Sequence, residues 1–383
     1  IFAFALCLLG LNSQVWHWYD MPKYKFIHLQ RLIMIILEPL TTWSQIVFCF
    51  LHYKEYSFGE LTVMLSIIPI CCNIMVKLII AQTKAYKIGM ADFMSKIHLY
   101  NIYRKNPGNE YVKMVKNNTF QFQCLSTAER YTSYTFKALF FWQLISASTW
   151  QVVPIRHSLM YNPDLNNITQ RLEVVIHIWL PFDYEYNFKV WAMVMAVAIY
   201  CTYLGVSVMF LFDTLVLSCL FHFIGHIKIY VHNLKTMFEE GQSQLQIKKI
   251  LIKLSVQYNW IRETRCTLEG CFGWYLVSSY VQNLFEGAVL LYSLNSQDLV
   301  SNYLFNIIKL LQTDEIPTLI YDLKWEDMSV SNQKMVWMLL CQVQPTFEFK
   351  AACNIKTGLQ PALNIIKTTF SYYIMLKAKN ETK

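Results

Sequence analysis

The chain has 383 residues, of which 55% are hydrophobic, 16% aromatic and only 15% charged, with a formal net charge of +8 and a mean hydropathy of +0.29. A soluble globular protein carries about a quarter charged residues, so these values make a bilayer the natural solvent. They also turn the positive excess away from nucleic acid and towards membrane orientation.

Taken in chain order, the apolar runs near spanning length are 32–51, 61–81, 136–153, 190–212, 270–292, a short 299–311, and 359–376. A helix needs about 20 apolar residues to cross a hydrocarbon core ~30 Å thick, a length that all but 299–311 approach. The sequence therefore predicts an all-α, seven-transmembrane helical protein. Its segments are an N-terminal cytoplasmic stretch 1–31, a six-helix transmembrane region with cytoplasmic helix extensions 32–325, a half-helix 326–345, a last transmembrane helix 359–376 and a short tail 377–383. Pro345 ends the half-helix because it lacks an N–H donor and clashes with the preceding turn. Residues 1–11 are apolar without a basic lead, so no signal peptide is expected, and the absence of an initiator Met points to a truncated chain.

The fourth run does not stop at the membrane. Apolar residues continue past Asp213 to Val231, and 190–231 as one helix is about 63 Å long. An amphipathic stretch, 245–261, precedes the fifth run, so the two predict a helical anchor bundle on one side of the membrane. Lys and Arg identify the side. The second-to-third loop holds Lys84, Lys87, Lys96, Arg104, Lys105, Lys113, Lys116 and Arg130, and the fourth-to-fifth holds Lys228, Lys235, Lys248, Lys249, Lys253, Arg262 and Arg265. Alternate loops are poorer, with Lys54 after the first run and Arg156, Arg171 and Lys189 after the third. By the positive-inside rule the N-terminus is cytoplasmic and the C-terminus extracellular, inverted relative to a G-protein-coupled receptor. Glycosylation sequons at Asn167 and Asn380 fall outside in this scheme, and one at Asn117 falls inside.

Eleven cysteines are scattered through the chain without CxxC spacing and read as packing residues. His222 and His226 have the i, i+4 spacing of zinc ligands, but no neighbouring Glu or Cys completes a set, so a helical packing face is the better reading. No metal, no cofactor and no enzymatic activity are expected. Glu38 and Glu286 are carboxylates inside apolar runs and are functional candidates on that ground.

Three motifs carry a resemblance. Leu180-Pro-Phe-Asp183-Tyr-Glu-Tyr186 precedes the fourth span, Tyr321-x-x-x-Trp325 lies before the half-helix, and Thr368-Thr-Phe-Ser-Tyr372-Tyr-Ile-Met-Leu closes the last span. In order and spacing the chain resembles the insect odorant receptor family. That resemblance implies a tetrameric ligand-gated cation channel, in which an odorant-tuned subunit assembles with co-receptor subunits in the plasma membrane of olfactory sensory neurons. Membrane lipid is a further partner and nucleic acid is not.

The resemblance also implies an odorant pocket in the outer half of the bundle. On the third span Gln143, Ser146 and Trp150 share a face at spacings of three and four, which suits a small volatile: an aromatic wall, a small residue and a hydrogen-bonding group. The bland alternative makes Trp150 an interfacial belt residue and Ser146 a packing residue. From the second span Ile67, Ile68 and Cys71 join the candidates, and from the fourth Met193, Val197 and Tyr200. No charged residue faces them below Lys189, so the expected ligand is neutral. Matching the closing motif to the family puts Met375 at the hydrophobic gate, with Lys379 one turn further out at the pore or snorkelling to the interface. Other classes fit less well. A gustatory receptor would end differently, a G-protein-coupled receptor would show Asn-Pro-x-x-Tyr in its last span, and a transporter would show an internal repeat.

Overall fold

The computed structural model describes residues 25–54, 56, 58–99, 119–162, 168, 170–238, 241–294, 315–344, 350, 352, 367, 368, 371 and 374. The α-helices are α1 (Lys25–His52), α2 (Phe58–Gln82), α3 (Lys84–Asp92), α4 (Thr119–Tyr161), α5 (Phe188–Thr236), α6 (Gln244–Leu294), α7 (Glu315–Tyr321) and α8 (Val330–Val343). A π-helical turn, Phe93–Ile97, extends α3, and a 3-10 turn, Trp325–Asp327, precedes α8. The all-α expectation holds, as does the projecting helix pair. The 49 residues of α5 and 51 of α6 make helices of about 74 and 77 Å, more than twice the hydrocarbon thickness.

Local chemistry ends and starts these helices. Thr83 closes α2 and opens α3: its hydroxyl donates to the Ile80 carbonyl at 2.7 Å and accepts from the Tyr86 N–H at 3.2 Å. With Thr83 extended at φ −66°, ψ 147°, the chain bends by 70° between Ile67–Gln82 and Lys84–Ile97. Asn187 caps α5 by accepting from the Lys189 and Val190 N–H groups. Gly241, at φ +87°, turns the chain towards α6 in a conformation that a Cβ would strain. Ser243 and Gln246 then form a capping box: Ser243 Oγ accepts from the Gln246 N–H at 3.3 Å, and Gln246 Oε1 accepts from the Ser243 N–H at 2.9 Å.

The helices α4 and α5 run antiparallel. Along α4 and α5 the ring of Phe136 meets Phe210, while Ser148 Oγ lies 3.0 Å from the Tyr203 hydroxyl. Tyr86 stacks on Phe212 at 5.5 Å between centroids, and Phe212 meets Phe272 edge-on, which joins α3, α5 and α6. The largest buried cluster follows the projecting half of α5 through Phe212, Cys219, Phe223 and Tyr230 to Leu254 of α6, Ile320 of α7 and Leu339 of α8. Asn332 fastens α8 to the start of α6, donating to the Gln244 carbonyl at 3.0 Å and to its side-chain oxygen at 2.9 Å. This is the helical bundle expected from the amphipathic 245–261 stretch.

Span by span, the structure differs from the apolar runs. Among the described residues α1 over Ile35–His52 and α5 are long and apolar enough to cross a membrane, and the bent α2–α3 pair makes a third when taken as one span. The run 136–153 is the middle of a 43-residue helix whose apolar character is diluted by Lys137, Gln143 and Gln151. The 299–311 run and most of 359–376 lie outside the described residues; Lys367, Thr368, Ser371 and Ile374 of the last run are described and are helical.

Candidate functional site

One end of the bundle is closed by the segment 170–187, which includes the Pro181-Phe182-Asp183 motif. Its backbone is tied to three helices. The Trp179 N–H donates to the Ser44 carbonyl at 3.2 Å, and the Ser44 hydroxyl donates back to the Trp179 carbonyl at 2.6 Å. The Glu173 N–H donates to Ser158 Oγ at 2.7 Å, and the Trp191 indole N–H donates to the Glu173 carbonyl at 2.8 Å. Arg171 pairs with Glu185 and lies 4.9 Å over the Tyr56 ring. Under this cap Leu172, Val174 and Tyr184 pack on Trp191, Val194 and Met195 of α5. A cavity of about 410 Å³ opens between Phe48, His52 and Ile178–Glu185.

Beneath the cap, α4 presents its packed face to α5. Ala147 and Gln151 are buried at the centre of that face, and Gln143 is half-buried at its edge. Ser146 is exposed and Trp150 is 46% exposed. The three predicted residues do share one side of the helix, but the buried centre lies about 40–80° beyond Gln143, at Ala147 and Gln151. Trp150 accordingly sits where a belt residue would. Gln143 Oε1 and both polar atoms of Gln151 are buried with no hydrogen-bond partner among the described residues. Buried amides normally find partners, so two spaced two turns apart on one helix mark a place where a guest or ordered water belongs. Gln151 was missed at the sequence level, although Gln143 and Gln151 recur two turns apart in an apolar run, which is a legible signal.

The remaining candidates fall in two other places. Cys71 is buried against α1, with its thiol 3.8 Å from Gln45 Oε1, and Ile67 and Ile68 are half-buried on the same helix. Met193, Val197 and Tyr200 are 64%, 48% and 40% exposed on the outer side of α5. Among the described residues α2 packs on α1, α3, α5 and α6, while α4 packs on α5. The α2 and α4 candidates are therefore brought to different sides of α5 rather than to one cavity.

The polar interior is richer than the sequence suggested. Lys77, 1% exposed, pairs with Asp213 at 2.7 Å and lies 5.3 Å from the Tyr275 ring centroid. One turn away Asn73 donates to Gln282 and accepts from the Ser278 hydroxyl at 2.8 Å. These contacts join α2, α5 and α6 through paired groups, as burial requires. Lys77 stands alone in the apolar run 61–81, and a lone lysine there needs a carboxylate, so the pair was findable. Glu38 is buried where α1, α2 and α5 meet: a Cβ added at Gly205 would lie 3.2 Å from its carboxylate and 2.8 Å from Ile74 Cδ1. The side chains of Glu286, Met375 and Lys379 lie outside the described residues.

Beyond Phe212 the projecting half of α5 carries His222 and His226. His226 Nε2 is 2.6 Å from the Ile97 carbonyl, and the His222 ring is 4.0 Å from that of His98. Burial drives His222 down to about 2 and His98 and His226 down to about 4, so all three are neutral at physiological pH. Among the described residues no group of three or more His, Cys, Asp or Glu side chains is arranged to hold a metal.

No protein-family model matches the chain, and no curated protein matches it. Solved structures similar over nearly its whole length include those of one insect receptor. The insect olfactory receptor OR5 from Machilis hrabei superposes with a TM-score of 0.70 at 12% identity, covering 98% of this chain and 96% of that one. The same receptor in complex with eugenol gives a TM-score of 0.73 with the same identity and coverage. The chain has the fold of these olfactory receptors, as the three motifs led one to expect.

Proposed function

We propose that the chain is the odorant-tuned subunit of a heteromeric, odorant-gated, non-selective cation channel, and that it binds a small neutral volatile in the outer half of its helix bundle. The observation that carries this reading is the likeness over 98% of the chain to a receptor also solved with eugenol. The orphaned amides of Gln143 and Gln151 support it locally, since a volatile with one hydroxyl or carbonyl would supply their missing partners. Around them we assign the pocket to Gln143, Ala147, Gln151 and Tyr203, with Ser146 and Trp150 at its rim. Met193, Val197 and Tyr200 face the surroundings of α5. Ile67, Ile68 and Cys71 act through the α1–α2–α5 contact.

In this reading the N-terminus is cytoplasmic, the 170–187 cap is extracellular, and the α5–α8 bundle is the cytoplasmic anchor, in accord with the Lys/Arg asymmetry. The last helix lines the pore, Met375 forms its hydrophobic constriction and Lys379 flanks its outer mouth. A ring of four Lys379 residues would oppose cation flow, which favours assembly with a co-receptor that lacks them. Whole-cell recording tests this. Odorant-evoked cation current should appear when the chain is expressed with an odorant-receptor co-receptor and be absent from the chain alone. A robust homomeric current, unchanged by co-receptor, would overturn the heteromeric reading.

A further inference from the structure

At the end of α4 and α5 remote from the cap, the two helices enclose a second cavity of about 310 Å³. Its chemistry is graded along its length. Phe136 and Leu211 line one end and Ser218 and His222 the other, with Thr214 and Leu215 at adjacent positions between them and Thr132, Ser133 and His98 completing the lining. Exposed Glu129 stands at the mouth. The polar end is built from buried groups: Thr214 is 5%, Ser218 1% and His222 2% exposed. Ser218 Oγ lies 3.5 Å from Thr132 Oγ1. The Leu99 N–H donates to His222 Nδ1 at 3.4 Å, which leaves Nε2 as the protonated, donating nitrogen of that neutral ring. The Thr214 hydroxyl is buried with no hydrogen-bond partner among the described residues. A buried hydroxyl left without a partner is costly unless a guest supplies one.

We propose that this cavity is a second ligand site, separate from the outer one, that takes a neutral amphiphile with a single hydroxyl head, an alkylphenol or a medium-chain alcohol. The volume admits roughly ten non-hydrogen atoms, taking ~30 Å³ for each as for liquid water. Its apolar end receives the tail, and Thr214, Ser218 and His222 meet the head. An anion is disfavoured because, among the described residues, the one formal charge on the lining is the Glu129 carboxylate and both imidazoles are uncharged. An ammonium would exchange its hydration for neutral hydroxyls, with no buried carboxylate among the described lining residues to pair with.

The test is photolabelling of the purified full-length chain in lipid nanodiscs with a diazirine-bearing alkylphenol, followed by peptide mass spectrometry. Labels should fall within 129–136 and 211–222 and be displaced by excess unlabelled alkylphenol. Thr214→Val, nearly isosteric, should lower labelling there about tenfold, the effect of losing one hydrogen bond of about 1.4 kcal/mol. Ser218→Leu should remove the label by filling the cavity, and a probe lacking the hydroxyl should label the site about tenfold less. Labels confined to other surfaces, an equal yield from the hydroxyl-free probe, or labelling unmoved by Thr214→Val would each overturn the proposal. Should Ser218→Leu fail to fold, the Thr214→Val result and the paired probes decide. The readout is a map of labels and needs no current, so it stands or falls apart from the channel reading.

Discussion

Lys77 keeps its charge inside the bundle because Asp213 meets it at 2.7 Å and the Tyr275 ring lies beside it. Removing one partner of a buried pair strands the other charge, whereas replacing both with apolar groups is often neutral. Lys77→Met should therefore cost about 3–5 kcal/mol, read as a lower melting temperature of the purified receptor in detergent. Adding Asp213→Leu should restore most of the loss, and equal losses in the single and double variants would disprove the pairing account. Gln151 predicts the opposite sign. Gln151→Leu removes two unpartnered buried polar atoms, so the ligand-free protein should gain about 1–3 kcal/mol while the half-maximal concentration of a hydrogen-bonding odorant rises. The histidines set a pH dependence. His98 and His226 are held at about 4 in the fold against about 6.5 unfolded, so between these values the unfolded chain binds protons that the native one does not. Stability is full above pH 6.5 and falls as pH drops towards 4. His226→Gln should lessen the fall in melting temperature between pH 7.5 and 5, with His98 and His222 supplying the slope that remains.

Helix against helix, close approaches depend on what is missing from a side chain. A Cβ built on Gly89 of α3 would collide with the thiol of Cys271 on α6, where that thiol also donates to the Ala85 carbonyl at 3.4 Å. Gly89→Ala should destabilise by about 1–3 kcal/mol through overpacking, offset in part by whatever the helix gains from replacing glycine. Combining it with Cys271→Ala should recover most of the loss, a non-additivity that unfolding of both singles and the double in detergent would reveal. The rotation of α4 belongs to this scale as well. Spacing correctly put Gln143, Ser146 and Trp150 on one side of the helix. The position of Phe210, Tyr203 and the 170–187 segment decides which edge of that side is buried, and it is the Ala147–Gln151 edge.

For the molecule as a whole, α5 and α6 are longer than a hydrocarbon core is thick, and in the proposed reading the basic residues around their projecting halves put these in the cytoplasm. Epitope tags on intact cells check the orientation: a C-terminal tag should label without permeabilisation and an N-terminal tag should not. Labelling of the N-terminal tag on intact cells would invert the scheme.

What the sequence determined by itself were quantities carried by neighbouring residues. Composition chose the bilayer, the continuous apolar stretch through Asp213 produced the long α5, the amphipathic 245–261 stretch foretold the anchor bundle, and three ordered motifs pointed to the fold. The tertiary structure decided what depends on distant partners. Lys77 finds Asp213 across 136 positions, and Asn73 finds Gln282 across 209. The 70° bend at Thr83 depends on how α3 packs against α5 and α6. The gathering of Gln143 and Gln151, without Ile67 or Met193, depends on which side of α5 each helix occupies. Periodicity states that a helix has a face; only packing against a neighbour states which part of that face is dry.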